Sequence, residues 1–276
     1  MKNYFLTATT ALAILFSSCG AQQQKKVEEK KSDTKSLVLY FSQTGATKSV
    51  AEEIQKELGA DIEALELDSP YVGTYEETLK RVGQERESGN LPKIITLKSD
   101  LNKYDTIYLG YPIWFGTYAL PITSLVKDHD FANKYIIPFC TFGSGGLEPS
   151  MEDLKKALPM AKIADNGFGI RNARLNATAK ELNRFLIENG YLEGSVEKLD
   201  DYSELKEVSE EDKAIFDAAC SSYKYPMGKP VMVGKRSTND ATDYIFKVEN
   251  NGGTSTIYIT VLNGKGSKPE FTKVVR

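Results

Sequence analysis

Residues 37–50 read LVLYFSQTGATKSV. An apolar run from Leu37 to Phe41 ends abruptly in Ser42, Gln43, Thr44, Gly45, Ala46 and Thr47. A continuous apolar run of this kind predicts a strand covered on both faces. Val50, Ala51, Ile54 and Leu58 then recur at helical spacing, and Gly59 stops the pattern. Hydroxyls and backbone N–H groups at the start of a helix make a ready anion site. Gly45 lets the backbone approach closely, and the neutral residues suit a phosphate held by hydrogen bonds rather than by ion pairs. The same residues also read as a hydroxyl-rich helix cap. The stretch contains neither G-x-x-x-x-G-K-[ST] nor G-x-G-x-x-G.

The alternation continues. Ile62, Leu65 and Leu67 suggest a second strand, residues 106–111 (TIYLGY) a third, 135–140 (YIIPFC) a fourth and 162–170 a further extended segment. Pro138 suggests the end of its strand or a bulge. Helical faces are marked by Ile122, Leu125 and Val126, by Met151, Leu154, Ala157 and Leu158, and by Ala179, Leu182, Phe185 and Leu186. The long interval 68–105 contains a helical stretch, 75–86, which covers either a bound ligand or the sheet edge, the edge being the expectation. Such alternation predicts an α/β fold, an open parallel sheet with helices on both faces. Ligands of these sheets bind beyond the carboxyl ends of the strands, where strand order reverses.

Two further strand ends therefore matter. Gly110-Tyr111-Pro112-Ile113-Trp114-Phe115-Gly116-Thr117-Tyr118 crowds aromatics, including the single tryptophan, into one loop. Aromatics are costly to expose, so these should cover something flat or enter the core. Cys140-Thr141-Phe142-Gly143-Ser144-Gly145-Gly146 carries glycines that let main-chain groups meet a planar ligand edge-on.

Together the three loops resemble the flavodoxin-like family. There S/T-x-T-G-x-T, matched by Ser42 to Thr47, cradles the phosphate of FMN. G-x-P-x-W, matched by Gly110 to Trp114, places an aromatic near the isoalloxazine, and a glycine-bearing third loop meets the pyrimidine edge. The resemblance covers about 36–191 and implies a flavodoxin-like, doubly wound, five-stranded parallel sheet with FMN as cofactor. It implies Ser42, Gln43, Thr44, Gly45, Ala46, Thr47, Tyr111, Pro112, Ile113, Trp114, Phe115, Gly116, Thr141, Phe142, Gly143, Gly145 and Gly146 as cofactor-binding residues, with no catalytic side chain and no metal. The third loop departs from carrier flavodoxins. It lacks their stacking tyrosine, for which Phe142 is a candidate substitute, and their acidic cluster, so fewer charges oppose a reduced anionic flavin.

Alternation stops after Gly190. Residues 193–208 are acidic and polar and read as a linker. Ala214, Ile215, Ala218 and Ala219 suggest a short helix, followed by strands at 230–235, 244–248, 256–262 and 271–275. This small α+β unit, about 209–276, resembles the cystatin-like fold through Thr242 to Val248 and Val261-Leu262-Asn263-Gly264. The inhibitory Q-x-V-x-G is absent, with Ser237 to Ala241 in its place.

At the other end, Lys2, an apolar stretch at 6–16 and Ser17-Ser18-Cys19-Gly20 read as a signal peptide of residues 1–18, too short to span a bilayer. Small residues before Cys19 resemble a bacterial lipoprotein processing site, which implies lipid on Cys19; ordinary secretory cleavage near Ser18 is the alternative. Residues 19–35 are too polar to offset the entropy of ordering. They form a tether expected to span about 20–25 Å. These features imply a bacterial cell-envelope protein, lipid-anchored to a membrane and facing the periplasm or the exterior.

The 276 residues carry a net charge of −3, which gives no nucleic-acid surface. His129 is the single histidine and reads as a surface residue; Cys140 and Cys220 read as separate thiols. No cysteine–histidine cluster has metal-ligand spacing. The expected function is FMN-dependent electron transfer with a redox partner protein or a quinone. Alternatives are an NAD(P)H-dependent quinone or flavin reductase, and an envelope binding protein whose flavin site has decayed.

Overall fold

The computed structural model describes residues 35–276. The signal peptide, Cys19 and nearly all of the tether lie outside the described residues. Among those described, no helix is long and apolar enough to cross a membrane.

The first half alternates β1 (Ser36–Tyr40), α1 (Ala46–Leu58), β2 (Asp61–Ala64), α2 (Tyr75–Ser88), β3 (Thr106–Trp114), β4 (Thr117–Tyr118), α3 (Leu120–Asp128), β5 (Tyr135–Phe142), α4 (Leu147–Ala157), β6 (Lys162–Ile163), β7 (Phe168–Arg171) and α5 (Thr178–Glu188). The strands assemble in the order β2-β1-β3-β5-β6, all parallel, with β7 also paired to β5. Successive strand side chains point to opposite faces, and β1 shows why the sheet is covered twice. Leu37 and Leu39 join one buried cluster with Ile107, Leu109, Leu125 and Leu154, beneath α3 and α4. Val38 and Tyr40 join the other with Val50, Ile54, Leu182 and Leu186, beneath α1 and α5.

The fifth strand position is filled in two pieces where the sequence suggests one extended segment. β6 pairs with Tyr135 and Ile136, β7 with the stretch from Phe139 onward, and the gap falls beside Pro138. Proline has no N–H to offer a neighbour. β5 does not end there, as the proline suggested; it runs to Phe142.

The insert 68–105 does more than cover the edge. Its ends do flank β2: Leu67 bridges Ile94, and Ile95 N donates to Glu66 O at 2.8 Å. Yet α2, started by a Thr74–Glu77 capping box, is tied to the carboxyl end of β1 through Gln43, whose Nε2 donates to Thr78 Oγ1 at 2.7 Å.

A second sheet is antiparallel, in the order β12-β11-β10-β9-β8, with β8 (Lys206–Glu207), β9 (Lys229–Ser237), β10 (Ala241–Asn250), β11 (Gly253–Leu262) and β12 (Glu270–Val275). Helix α6 (Glu210–Cys220) covers one face, with Phe216 against Phe246 at 5.3 Å between ring centroids. The α+β order expected for the C-terminal region is present. The stretch expected to be a linker contributes to it: Ser203 N donates to Lys235 O, and β8 pairs with β9.

Phe246 is fully buried at the centre of this second core. Phe246→Ala should therefore cost about 3–5 kcal/mol. Urea titration followed by circular dichroism measures it, and an unshifted midpoint would contradict the packing described.

Candidate functional site

The carboxyl ends of β1, β3 and β5 lie side by side because these strands are parallel neighbours, with Tyr40 opposite Gly110 and Pro112 opposite Thr141. Phe41 N donates to Gly110 O at 2.9 Å. Strand order reverses at β1, since the next strand in sequence lies on one side of it and β3 on the other. The site thus sits where ligands of open parallel sheets bind.

The first loop enters α1 through Gly45, whose φ of 91° favours glycine. Its N–H donates to Ser42 Oγ at 3.2 Å. No acidic residue occupies the first turn of α1, so the positive end of the helix is left for an external anion. Thr44 is exposed, and Ser42, Gln43, Gly45 and Ala46 are partly so. Lys48 points along the helix, 3.6 Å from Glu52. Thr47 differs from its neighbours. It is 1 % exposed, and its Oγ1 lies 2.9 Å from Thr141 Oγ1, which is 2 % exposed. That pair joins the first and third loops in the interior.

The second loop is shorter than the sequence suggests, because β3 continues through Trp114 and folds back as β4. Ile113 pairs with Tyr118 and Trp114 with Thr117, leaving Phe115-Gly116 as a two-residue turn. Both have positive φ, 52° and 83°. This is the hairpin geometry that favours Asn or Gly. A bulky residue held there costs about 1–3 kcal/mol, and such strain clusters at functional sites. The Phe115 ring is 55 % exposed, with the Arg86 guanidinium 5.0 Å from its centroid. Trp114 leans edge-on against Phe41 at 5.6 Å and Tyr71 at 5.1 Å, so the insert walls this side.

Tyr111 does not reach the open site. It is fully buried, its hydroxyl 3.1 Å from Ser150 Oγ. Phe142 is likewise a core residue, packed under Gly169, and is no substitute for a stacking tyrosine. Strand alternation turns both inward. The parts of the second and third loops that reach solvent are Pro112, Ile113, Trp114, Phe115, Gly116, Thr117, Gly143, Ser144, Gly145 and Gly146.

On the α4 side of these two loops lies a cleft of about 830 Å³. Ile113, Gly116, Met151, Tyr223 and Tyr225 contribute to its wall. The first loop is not part of it.

Acid–base chemistry has little to work with. Burial pushes the Tyr111 phenol and the Cys140 thiol well up, and burial raises the Cys220 thiol to about 11. His129 closes α3, away from the three loops in sequence and fold. Among the described residues no cluster could hold a metal ion.

Sequence reasoning missed Tyr71, Thr78 and Arg86 of the insert, and Arg171, whose Nε donates to Gly143 O at 2.8 Å. None carries a local motif. Only the helical period of 75–86 signalled that the insert was ordered.

Thr47→Val would leave the buried Thr141 hydroxyl without its partner, a loss of about 1–3 kcal/mol, whereas adding Thr141→Val should recover most of it. Thermal or urea unfolding of the four proteins in the cycle tests this. Additive effects would show that the two hydroxyls are not coupled.

A family model described as flavodoxin matches residues 35–186. Among solved structures, a Bacteroides eggerthii protein provisionally described as a flavoprotein is 27% identical, covering 55% of this chain and 98% of its own, at a TM-score of 0.47. A Lactobacillus acidophilus flavoprotein solved in complex with FMN is 22% identical, over 53% of this chain and 99% of its own, at 0.44. Oxidised flavodoxin 2 of Bacillus cereus is 18% identical, over 57% and 99%, at 0.37. No curated protein matches the chain. The family model spans more than half of the sequence and takes in all three strand-end loops, so the chain belongs to the flavodoxin family.

Proposed function

We propose that this protein binds FMN at the three strand ends and passes electrons between a redox partner protein or a quinone and the flavin. One observation carries the reading: three neutral, glycine-bearing loops meet where strand order reverses, beside an α1 N-terminus with no acid in its first turn. Ser42, Thr44 and the N–H groups entering α1 would hold the phosphate. Pro112 to Gly116 and Gly143 to Gly146 would flank the ring. FMN itself supplies the redox chemistry when bound; the protein supplies orientation, ring environment and access.

Electron exchange is the reading the three loops support, since they present hydroxyls, amides, aromatics and glycines and no carboxylate, imidazole or thiol to solvent. The exposed Phe115 on its strained turn gives a partner an apolar contact beside the ring. Attachment to a cell envelope through a lipid on Cys19 rests on the N-terminal sequence alone. A cystatin-like reading of the C-terminal unit is supported by its order of one helix and then four antiparallel strands.

Purified protein should absorb near 370 and 450 nm, as oxidised flavin does, or gain those bands on titration with FMN. Thr44→Val should weaken FMN by about 1–3 kcal/mol, the scale of a hydrogen bond to a charged group. Fluorescence quenching of FMN measures both. A protein that takes up no FMN, or a variant with unchanged affinity, would overturn respectively the cofactor and the phosphate assignment. Steady oxidation of NADH with a quinone would move the protein to the reductases.

A further inference from the structure

The second sheet meets the first at the third loop. Val274 N, on edge strand β12, donates to Ser144 O at 2.8 Å. Val274 O lies so close to Gly145 that an added Cβ would stand 2.3 Å from it. Arg171, at the end of β7, reaches both parts: Nε donates to Gly143 O at 2.8 Å and Nη1 to Phe271 O at 2.7 Å. Its guanidinium also lies 4.2 Å from the Phe271 ring centroid. Two flanking ion pairs, Lys273–Glu148 at 2.8 Å and Arg174–Glu270 at 3.1 Å, hold the same strand down.

These bonds act on peptide planes. A peptide unit is rigid, so fixing a carbonyl fixes the N–H on its far side. Holding Gly143 O orients the Ser144 N–H, and holding Ser144 O orients the Gly145 N–H. Among the described residues neither N–H has a protein acceptor. A charged donor on the carbonyl also polarises the amide and strengthens the bond its N–H can give.

We infer that Arg171 is a positioning residue which, with β12, clamps the third loop and aims the N–H groups of Ser144 and Gly145 at the flavin ring edge. The inference rests on the FMN reading above. The ring edge gains negative charge on reduction, so fixed donors favour the reduced cofactor more than the oxidised one. The C-terminal unit thereby sets the potential of the site through the backbone of the third loop.

The test compares the full chain with Arg171→Met, Arg171→Lys and Gly145→Ala. In FMN-free protein, the Val274 amide, which donates to Ser144 O, should exchange about tenfold faster in Arg171→Met, the scale of one charge-assisted bond. Gly145→Ala should show the same, since its methyl wedges β12 away. With FMN bound, Arg171→Met should lower the midpoint potential, by about 59 mV in a one-electron step for each tenfold preferential loss of reduced over oxidised flavin. Arg171→Lys keeps the charge but not the fork, and should fall between the two. Unchanged exchange and potential in Arg171→Met would overturn the inference, as would weaker FMN binding with both unchanged. If the parental protein took up no FMN, the proposed function would fall, while faster exchange of the Val274 amide in Arg171→Met would still establish the clamp.

Discussion

A strand buried on both faces has nowhere to place polar chemistry except at its ends. β1, β3 and β5 are such strands, apolar from Leu37 to Phe41, through Ile107 to Leu109, and from Ile136 to Cys140. Parallel pairing brings all three carboxyl ends to one side of the molecule. The hydroxyls, glycines and amides that follow are therefore neighbours in space although they are far apart in sequence. The Thr47–Thr141 hydrogen bond, two loops apart, is the interior counterpart of that convergence.

This constraint also explains what could be read from sequence. The change from continuous apolar residues to a helical period between Phe41 and Val50 marks the first strand end locally, and the same change recurs near Trp114 and Phe142. Which side chains stay inside is a different matter. Tyr111 and Phe142 look like loop aromatics, but β3 and β5 run further than their apolar runs suggest, and the alternation of the extended strands turns both inward. Thr47 looks like a phosphate ligand among five others, yet as the second residue of α1 it is buried against the third loop. The contacts of Arg171 and Val274 with the third loop had no local signal, because one depends on β7 pairing with β5 and the other joins segments on separate sheets. In the polar stretch before α6, Lys206–Glu207 likewise became strand only because β9 offered it a partner.

The walls around the strand ends are additions to a common sheet. The insert brings Tyr71 edge to face with Trp114 and places Arg86 over Phe115, making one side aromatic. Tyr71 is itself held by Glu85, whose Oε2 accepts from its hydroxyl at 2.6 Å. The C-terminal unit walls the other side through β12. Between them the only bulky side chain left prominently in solvent on the second loop is Phe115, held in the left-handed region by a turn too tight to relax.

The contact between β12 and the third loop has a consequence for solubility as well. An antiparallel sheet offers two edges, each a template for pairing with another chain. Here one edge is only two residues long, at β8, and the other is engaged at Val274 by a loop of the neighbouring sheet. The third strand-end loop thus doubles as an edge guard against sheet-to-sheet association. Release of that loop would unmask an unpaired strand, so selection against aggregation and selection for a fixed site act on the same few peptide groups.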